Sequence, residues 1–412
     1  MTNARAVFVT PVEPARTGNG LAMRMGLFLS ALSRFATVDV IIVPVVAGQT
    51  GGSLIEAVGA RRHVVPTHDF IDTRYSLLMR MHDPNMRLAA FRAYGRPSLS
   101  SGLSPRVLDS IAGIIRDCKP DMLHVGRSYL SEVVTLAPAG AVATLDLDED
   151  DLSNFKSQAA LARRQGDGDR ADWLVQEGCA CDMMIERFGH MFHRVFIASD
   201  RDARLLSRRR PAMAFTRIEN AVDTPSRPLR RDDGSTLLFV GALGYAPNSE
   251  GLLWFAEQVL PRLKAMRAGV PRLLIAGAGA RRELLALSRH SRIRLLGRVE
   301  DLSRLYAQAT LALAPMRSGG GTRIKLLEAA AYGVASVFTE AAAEGLEWPL
   351  DAGGWRAGDA RDFATACLAA LENPAERRRR AMTARHWIRR RHARDHIVCT
   401  LAGTLKATLQ RG

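Results

Sequence analysis

One short stretch of the chain has the residue types that bind a charged ligand. Gly319, Gly320 and Gly321 follow a short apolar run, and they let the backbone turn sharply and approach a ligand closely. Thr322 is placed to cap a helix that ends at Gly333. A helix N-terminus behind a glycine-rich loop presents free N–H groups and the positive end of the helix dipole, which favours a phosphate group.

Three charged side chains lie in the first turns of this predicted helix. Arg323 and Lys325 add two cations beside the loop, and Glu328 lies about one turn further along, where it could accept hydrogen bonds from sugar hydroxyls. This order of loop, cations and carboxylate predicts a pyrophosphate-and-ribose site, that is, a bound nucleotide. The alternative is an ordinary strand–turn–helix with a flexible loop, which would not need that order.

The first half of the chain alternates apolar runs with helical patterns, which predicts a parallel, doubly wound α/β sheet. The apolar runs are Ala6–Thr10, Val38–Val46, Met122–Val125, Val142–Leu147 and Val195–Ser199. Gly18, Asn19 and Gly20 follow the first run, at the carboxyl end of a strand, where ligands of open α/β sheets bind. A purely structural turn is the alternative for these three residues.

A cluster of acids surrounds the end of the fourth apolar run. Asp146 or Asp148 could orient a hydroxyl group or take its proton, whereas the acids from Glu149 to Asp151 are expected to cap the next helix and face water. No His or Cys joins the cluster, so a metal site is not predicted there. His124, inside an apolar strand, is interpreted as a core residue.

A polar segment rich in proline and aspartate, between Thr224 and Ser235, reads as a linker between two domains. We predict an N-terminal domain at residues 1–215, a C-terminal domain at residues 216–390 and a last helix at residues 391–412. In the second half, glycine-containing loops follow successive predicted strands. These loops hold Gly241 and Asn248, then Gly277, then Arg298.

The second half resembles the family-4-like glycosyltransferases of the GT-B fold (glycosyl transferases group 1). The resemblance is carried by the loop with Gly241, Tyr245, Pro247 and Asn248, by the strand end at Gly297–Asp301, and by the run Leu326–Val334, whose sequence is Leu-Leu-Glu-Ala-Ala-Ala-Tyr-Gly-Val. It covers most of the chain and is densest between Thr236 and Leu371.

The resemblance implies two Rossmann-like domains facing a cleft, with the acceptor on the N-terminal domain, a nucleotide-sugar donor on the C-terminal domain, and a last helix that returns to the N-terminal domain. It implies a metal-independent hexosyltransferase, without cofactors, that moves a sugar to a hydroxyl acceptor with retention, in glycan or glycoconjugate biosynthesis. The implied donor-side residues are Gly241, Asn248, Gly277, Arg298, Gly319, Gly320, Gly321, Thr322, Arg323, Lys325 and Glu328, with Arg323 and Lys325 offsetting the charge of the leaving group. The implied acceptor-side residues are Gly18, Asn19, Gly20, Asp146 and Asp148.

The sequence departs from the family pattern at three positions. Asp146 stands where many relatives carry a histidine, Asn248 lies in a loop that often carries an Arg and a Lys, and Gly320 replaces the first of two glutamates. Two other functions therefore remain open. One is a sugar-nucleotide epimerase of the same fold, and the other is a catalytically silent binding subunit.

The chain of 412 residues carries a net charge of +15, which calls for an anionic partner or an extensive solvated surface. The densest basic stretch runs from Arg377 to Arg394. A solvated helix face and peripheral contact with an anionic membrane surface are its two leading interpretations, whereas no recognition module favours nucleic acid. Five scattered cysteines, a first segment that resembles a strand rather than a signal peptide, and the lack of a long apolar run predict a cytoplasmic protein.

Overall fold

The computed structural model describes residues 4–46, 53–67, 71–227, 230–267, 269–320, 324–349 and 352–411. The chain forms two compact units. Unit 1 comprises Met1–Glu219 and Ile397–Gly412, and unit 2 comprises Asn220–His396. The boundary predicted from the sequence lies after residue 215, and the predicted start of the last helix is residue 391.

Unit 1 is built on a seven-stranded sheet whose order is β3-β2-β1-β4-β5-β6-β7, and every described pair of neighbouring strands is parallel. The strands are β1 (Ala4–Thr10), β2 (Ala36–Ile42), β3 (Arg61–Val64), β4 (Met122–Gly126), β5 (Val142–Asp148), β6 (Arg194–Ile197) and β7 (Phe215–Arg217). The strand order reverses between β1 and β4, and this is the point where doubly wound sheets bind ligands.

The α-helices of unit 1 are α1 (Gly20–Leu32), α2 (Ser53–Ala57), α3 (Thr73–Leu78), α4 (Pro84–Tyr94), α5 (Pro105–Cys118), α6 (Asp151–Arg164), α7 (Gly168–Phe188) and α8 (Asp200–Arg209), with 3-10 helices at Ser98–Gly102, Ser128–Leu136 and Gly189–Met191. Helix α1 begins where it does because the Asn19 side chain accepts a hydrogen bond from the backbone N–H of Ala22 at 2.8 Å. Phe28 of this helix packs against the sheet, where its ring stacks on His124 of β4 with ring centroids 4.4 Å apart. Burial lowers the pKa of His124 to about 3, so this histidine is a neutral core residue.

Unit 2 is built on a six-stranded parallel sheet in the order β10-β9-β8-β11-β12-β13, which reverses between β8 and β11. The strands are β8 (Thr236–Val240), β9 (Arg272–Ala276), β10 (Ile293–Gly297), β11 (Leu311–Ala314), β12 (Ser336–Thr339) and β13 (Trp355–Ala357). The doubly wound parallel sheet of unit 1 was predicted from alternating apolar runs and helical patterns, and that of unit 2 was implied by the family resemblance. Both are confirmed.

The α-helices that follow unit 2's strands are α9 (Ala246–Trp254), α10 (Leu260–Met266), α11 (Arg282–Leu287), α12 (Ser303–Gln308), α13 (Ile324–Ala331), α14 (Glu340–Ala343), α15 (Ala360–Glu372), α16 (Pro374–Arg391) and α17 (Arg394–Leu409). A single π-helical turn, Phe255–Val259, joins α9 to α10. Most of α17 belongs to unit 1, where Arg194 Nε donates a hydrogen bond to Thr408 Oγ1 at 2.9 Å.

Candidate functional site

Two glycines shape the carboxyl ends of β8 and β9 in unit 2. Gly241 follows β8 directly, and a side chain there would bring its Cβ to 2.9 Å from Asn248 Nδ2 and 3.2 Å from Lys325 Nζ. Gly277 follows β9, and a Cβ on it would lie 1.9 Å from the backbone oxygen of Gly241. The predicted donor residues Gly241, Asn248, Gly277 and Lys325 are therefore brought together, at the reversal point of the sheet.

Lys325, in the first turn of α13, extends back over the end of β8. Its Nζ donates a hydrogen bond to Asn248 Oδ1 at 2.5 Å, contacts Met316 Sδ at 3.2 Å and lies 4.5 Å from the ring centroid of Phe239. The Nδ2 of Asn248 in turn donates to the carbonyl of Ala242 at 2.8 Å. Asn248 thus fixes the lysine ammonium against the loop that follows β8, which gives a physical role to the asparagine found there.

The start of the segment after β11 is held in place by its neighbours. Thr339 Oγ1 donates a hydrogen bond to the carbonyl of Met316, and a side chain at Gly251 would come within 2.8 Å of the carbonyl of Pro315. Gly319 has a φ of 105°, a conformation that favours glycine, and Gly320 is buried. Gly321, Thr322 and Arg323 lie outside the described residues, so their predicted roles rest on the sequence.

Glu328 is buried on α13 and lies near Tyr306, whose hydroxyl is 3.5 Å from Glu328 Oε2. Burial raises the pKa of Glu328 to about 7, and the hydrogen bond from Tyr306 and the charge of Lys325 only partly offset this effect. A carboxyl group with such a pKa can change its protonation state near neutral pH when a hydroxyl-bearing ligand binds. Tyr306 stacks on Tyr332 with ring centroids 4.7 Å apart, which holds its hydroxyl in place.

Arg298 is exposed and follows β10, where Gly297 takes a positive φ of 65°. No hydrogen bond among the described residues joins Arg298 to Lys325, Asn248 or Glu328. Its predicted role at the donor site therefore rests on its position after a strand end.

The corresponding edge of unit 1 holds a buried ion pair. Arg24, on α1, donates hydrogen bonds from Nε and Nη2 to Asp146 at distances of 2.9–3.3 Å, and from Nη1 to the carbonyl of Ile218 at 2.6 Å. Both side chains of the pair are fully buried. Desolvation alone would lower the pKa of Arg24, but attraction to Asp146 outweighs it and the pKa is raised. The carboxylate predicted to face an acceptor thus lies inside the protein and binds a guanidinium.

A second buried arginine lies beside this pair. Arg127, directly after β4, donates to the carbonyl of Leu147 at 2.7 Å and to Asp151 Oδ1 at 2.6 Å. Its backbone has φ 77° and ψ 148°, a region that residues other than glycine rarely adopt. Asp151, expected to face water, is instead buried, because Arg127 and Ser128 hold its two oxygens.

Asp148 also has a positive φ, 63°, and its side chain is the most exposed of the acids around the two arginines, at 17%. One oxygen lies 3.6 Å from Arg127 Nη1, and the other lies 3.9 Å from Arg24 Nε. Backbone strain of this kind costs about 1–3 kcal/mol per residue and persists where the surroundings demand it. Two strained residues at the ends of neighbouring strands mark this edge as a candidate site.

Arg24 and Arg127 were not predicted from the sequence as site residues. A signal for Arg24 is present, because it is the one charged residue in α1, a helix of 13 residues in which ten are buried. A lone arginine on such a helix indicates a buried acidic partner. Gly18 has a φ of 113°, Asn19 caps α1 and Gly20 begins it, so these three predicted residues shape the turn into the helix that carries Arg24.

One group of potential metal ligands occurs within the described part of the chain. Asp39, His63 and Cys118 each place a ligand atom within 4.8 Å of the others. Asp39 is already hydrogen-bonded to His63 Nε2 at 2.8 Å and to Arg61 at 2.6 Å. Because the Asp39 carboxylate already binds the Arg61 guanidinium, we interpret the cluster as a structural ion pair between β2 and the edge strand β3.

The basic stretch of α16 is largely engaged within unit 2. Arg377 binds the carbonyl of Ala370 at 2.7 Å and Asp232 at 3.2 Å, and Arg385 binds the carbonyl of Pro225 at 2.6 Å. Arg379 and Arg380 both bind Glu376 at 2.7 Å. Many of the arginines for which contact with an anionic surface was one interpretation therefore form hydrogen bonds and ion pairs within this unit. Among the described helices, none combines the length and the apolar character needed to cross a bilayer.

Comparisons with known proteins bear on the identity of both units. The family of glycosyl transferases group 1 matches residues 234–373. No curated protein sequence matches the chain.

Solved structures share the fold over nearly the whole chain. A sucrose-phosphate synthase from Thermosynechococcus elongatus is 14% identical with a TM-score of 0.68, and the match covers 99% of this chain and 100% of that one. HepE from Anabaena, in complex with UDP and glucose, is 14% identical with a TM-score of 0.62, covering 98% and 100%. A glycosyltransferase from Rickettsia africae is 12% identical with a TM-score of 0.60, covering 100% of each chain.

At these identities the structural similarity is one of fold, whereas the family match is one of sequence. The matched residues include Gly241, Asn248, Gly277, Lys325 and Glu328, so the site of unit 2 lies within the matched segment. Together, these findings support glycosyl transfer as the activity. The chain has the GT-B fold, and the resemblance of its second half to the glycosyl transferases group 1 is confirmed.

Proposed function

We propose that this protein is a glycosyltransferase that moves a sugar from a nucleotide diphosphate to a hydroxyl acceptor, with retention at the anomeric carbon and without a metal ion. The observation that carries the proposal is the convergence of Lys325, Asn248, Gly241 and Gly277 at the reversal point of the unit 2 sheet, within the segment that matches the family. Because the two glycines lack side chains, the ends of β8 and β9 pack closely against each other and against Asn248, and the ammonium is held at that point.

Charge stabilisation is the main task in this reaction. The bond between the anomeric carbon and the phosphate oxygen breaks, so negative charge builds up on the departing diphosphate, while the acceptor oxygen bonds the carbon and its proton passes to a departing phosphate oxygen. Lys325 is positioned by Asn248 before any ligand arrives, and such preorganised charges are among the largest contributions to catalysis. Arg323 would add a second charge, a role that rests on the sequence. These cations would do the work that a metal ion does elsewhere.

Glu328 is the group that we assign to the ribose. Its carboxylate would accept hydrogen bonds from two neighbouring ribose hydroxyls. Its pKa is raised because the carboxyl group is buried, and the ribose hydroxyls would provide hydrogen-bond donors in that buried position. The structure of HepE is described as a complex with UDP and glucose. We therefore place UDP and UDP-glucose first among the donors to be tested.

On unit 1, we assign Asp148 and the turn at Gly18–Gly20 to the acceptor. Asp148 is the partly exposed carboxylate at the strained edge of the sheet, where it can accept a hydrogen bond from a hydroxyl. Asp146 is assigned a positioning role instead of proton transfer, because its oxygens bind Arg24 in the interior.

The test begins with nucleotide binding. A thermal-shift panel of UDP, GDP, dTDP, ADP and their common sugars should show one base that stabilises the protein, and a ligand at about one hundred times its dissociation constant adds roughly 2.7 kcal/mol. The preferred donor is then incubated with hydroxyl acceptors, with and without EDTA, and the anomeric configuration of the product is read by NMR.

Transfer with retention that EDTA leaves unchanged is the expected result. Isomerisation of the donor sugar in the absence of acceptor would identify an epimerase instead. Tight nucleotide binding without turnover across acceptors would identify a silent binding subunit, the alternative that Gly320 in place of a glutamate keeps open.

A further inference from the structure

The hairpin formed by α3 and α4 in unit 1 exposes an unusual concentration of large apolar side chains. Leu77 is 55% exposed, Met79 46%, Met81 36% and Met86 64%, and all four lie within ten residues at the turn between the two helices. Isolated exposed apolar residues are common on proteins, but a contiguous group marks an interaction surface. We call these four residues the apolar tip.

The rest of the hairpin is firmly attached to unit 1. Phe91 on α4 is buried and stacks on Trp173 of α7, with ring centroids 4.3 Å apart and planes inclined by 16°. Asp83 caps α4 through the backbone N–H of Met86, and Gly95 ends it in the left-handed conformation. The fold thus anchors the helix through its inner face and leaves the apolar tip outside the core. Burial in the core does not account for these four side chains.

The charges around the apolar tip are predominantly positive. Residues 71–94 contain four arginines and two aspartates. Arg80 and Arg92 are exposed. Asp72 is buried and held by Arg74 through a hydrogen bond of 3.1 Å, whereas Asp83, which caps α4, is the exposed acid at the turn. An apolar group bordered by arginines is complementary to a surface that has an apolar interior and anionic headgroups.

We propose that the apolar tip inserts into the headgroup region of an anionic lipid bilayer while Arg80 and Arg92 contact lipid phosphates. Leucine supplies apolar area, and the three methionines adapt their flexible side chains to an irregular lipid surface. This proposal places the membrane contact in unit 1, and not at the basic stretch of α16, whose arginines are largely bound within unit 2. It does not depend on the proposed glycosyl transfer.

The apolar part of the proposal is tested by vesicle sedimentation with phosphatidylcholine alone and with added phosphatidylglycerol. The wild-type protein is expected to bind the anionic vesicles. The quadruple variant Leu77→Ser, Met79→Ser, Met81→Ser and Met86→Ser should bind them at least about tenfold more weakly, since each side chain loses apolar contact with lipid. Met266, Leu285 and Met382 of unit 2 are 43%, 53% and 66% exposed. The variant that changes these three to serine is the matched control, and it should bind like the wild type.

The electrostatic part uses the double variant Arg80→Gln and Arg92→Gln, which should weaken binding to anionic vesicles by roughly tenfold. Its control is the double variant Arg389→Gln and Arg390→Gln, which changes two exposed arginines of α16. A loss of binding in the control but not in the hairpin variant would overturn the proposal in favour of α16. Failure of the wild type to bind anionic vesicles would also overturn it.

A protein partner is distinguished by light scattering in the absence of lipid. If the wild type forms a dimer that the quadruple variant does not form, the apolar tip is an interface between copies of the chain and the lipid proposal is wrong. Melting curves and nucleotide binding should be unchanged in the hairpin variants, because the substituted side chains are exposed. A protein that binds vesicles but no nucleotide would support this proposal while contradicting the proposed function.

Discussion

At the carboxyl ends of their sheet strands, the two units use charged side chains in opposite ways. At the edge of unit 1, Arg24 and Arg127 form hydrogen bonds with the carboxylates of Asp146 and Asp151, and all four side chains are buried. At the edge of unit 2, the hydrogen-bond partners described for Lys325 are an amide oxygen and a thioether, and glycines line the neighbouring strand ends. The charges described in unit 1 therefore hold the fold together, whereas the ammonium in unit 2 is held by an amide side chain against the loop that follows β8.

The comparison predicts that one unit responds to substitution through stability and the other through activity. Buried ion pairs are costly to break, because removing one partner leaves a charge without compensation in the interior. A half-buried lysine beside a binding site can be removed at small cost in folding energy. The five experiments below test that division.

Asp146→Ala should have the largest effect on stability. The buried guanidinium of Arg24 would lose its carboxylate, and we expect the free energy of unfolding to fall by about 3–5 kcal/mol, as measured by urea denaturation. The double variant Arg24→Met and Asp146→Leu removes both charges and should recover most of that loss. If Asp146→Ala is as stable as the wild type, unit 1 does not depend on this pair and the contrast between the units fails.

Lys325→Ala should reduce turnover by about 10²–10³-fold, because a preorganised positive charge at the leaving group is lost. Its free energy of unfolding should change by less than about 1 kcal/mol, since Lys325 is only partly buried. Lys264→Ala, on the exposed face of α10, is the control and should leave both quantities unchanged. Wild-type turnover in Lys325→Ala, with an unchanged melting curve, would remove the lysine from the donor site.

Glu328 should make nucleotide affinity depend on pH. Its pKa is raised to about 7, and hydrogen bonds from ribose hydroxyls favour the ionised carboxylate. Affinity should therefore rise by about tenfold per pH unit up to pH 7 and level off above it. Isothermal titration between pH 5 and pH 8 measures this profile. Glu328→Gln should bind more weakly at pH 8 and show a flat profile, and an unchanged slope in that variant would assign the titration to another group.

The same raised pKa has a consequence for the protein without ligand. The folded state holds a proton on Glu328 that the unfolded chain has already released, so stability should fall as pH rises from the ordinary range of glutamate to about pH 7. Glu328→Gln should remove this loss and be more stable at pH 8 by roughly 3 kcal/mol. This readout by denaturation is independent of nucleotide binding and therefore serves as a control for the preceding experiment.

Gly241→Ala should have the smallest effect, a several-fold loss of donor affinity. The new Cβ would lie 2.9 Å from Asn248 Nδ2 and 3.2 Å from Lys325 Nζ, so both side chains must shift by a few tenths of an ångström. Gly244→Ala lies in the same loop, and its nearest neighbour would be at 3.7 Å, an ordinary contact. Affinities measured by titration should thus differ between these two variants, and equal affinities would argue against tight positioning of Lys325.

Local sequence patterns were sufficient to predict the strands and to locate the glycine-containing loops that follow them. The apolar runs predict the strands, and the glycines at 241 and 277 directly follow strand ends in the structure. The contact of Lys325 with Asn248 joins residues 77 positions apart, and no local rule predicts such a distance. Asp146 was predicted to face an acceptor because it stands at a strand end. Its burial depends on Arg24, which is 122 residues away.

The sequence by itself predicted the doubly wound sheet of unit 1, since strand and helix periodicities are local properties of the chain, and the motifs of the second half implied the other sheet through the family resemblance. It also predicted a glycine-rich loop followed by a helix whose first turn carries cations. Only the tertiary structure decided which charges are neutralised inside the protein and which are held at a surface. Burial and pairing arise when distant segments pack together, so Arg24, Asp146 and the arginines of α16 acquired their roles only through those contacts.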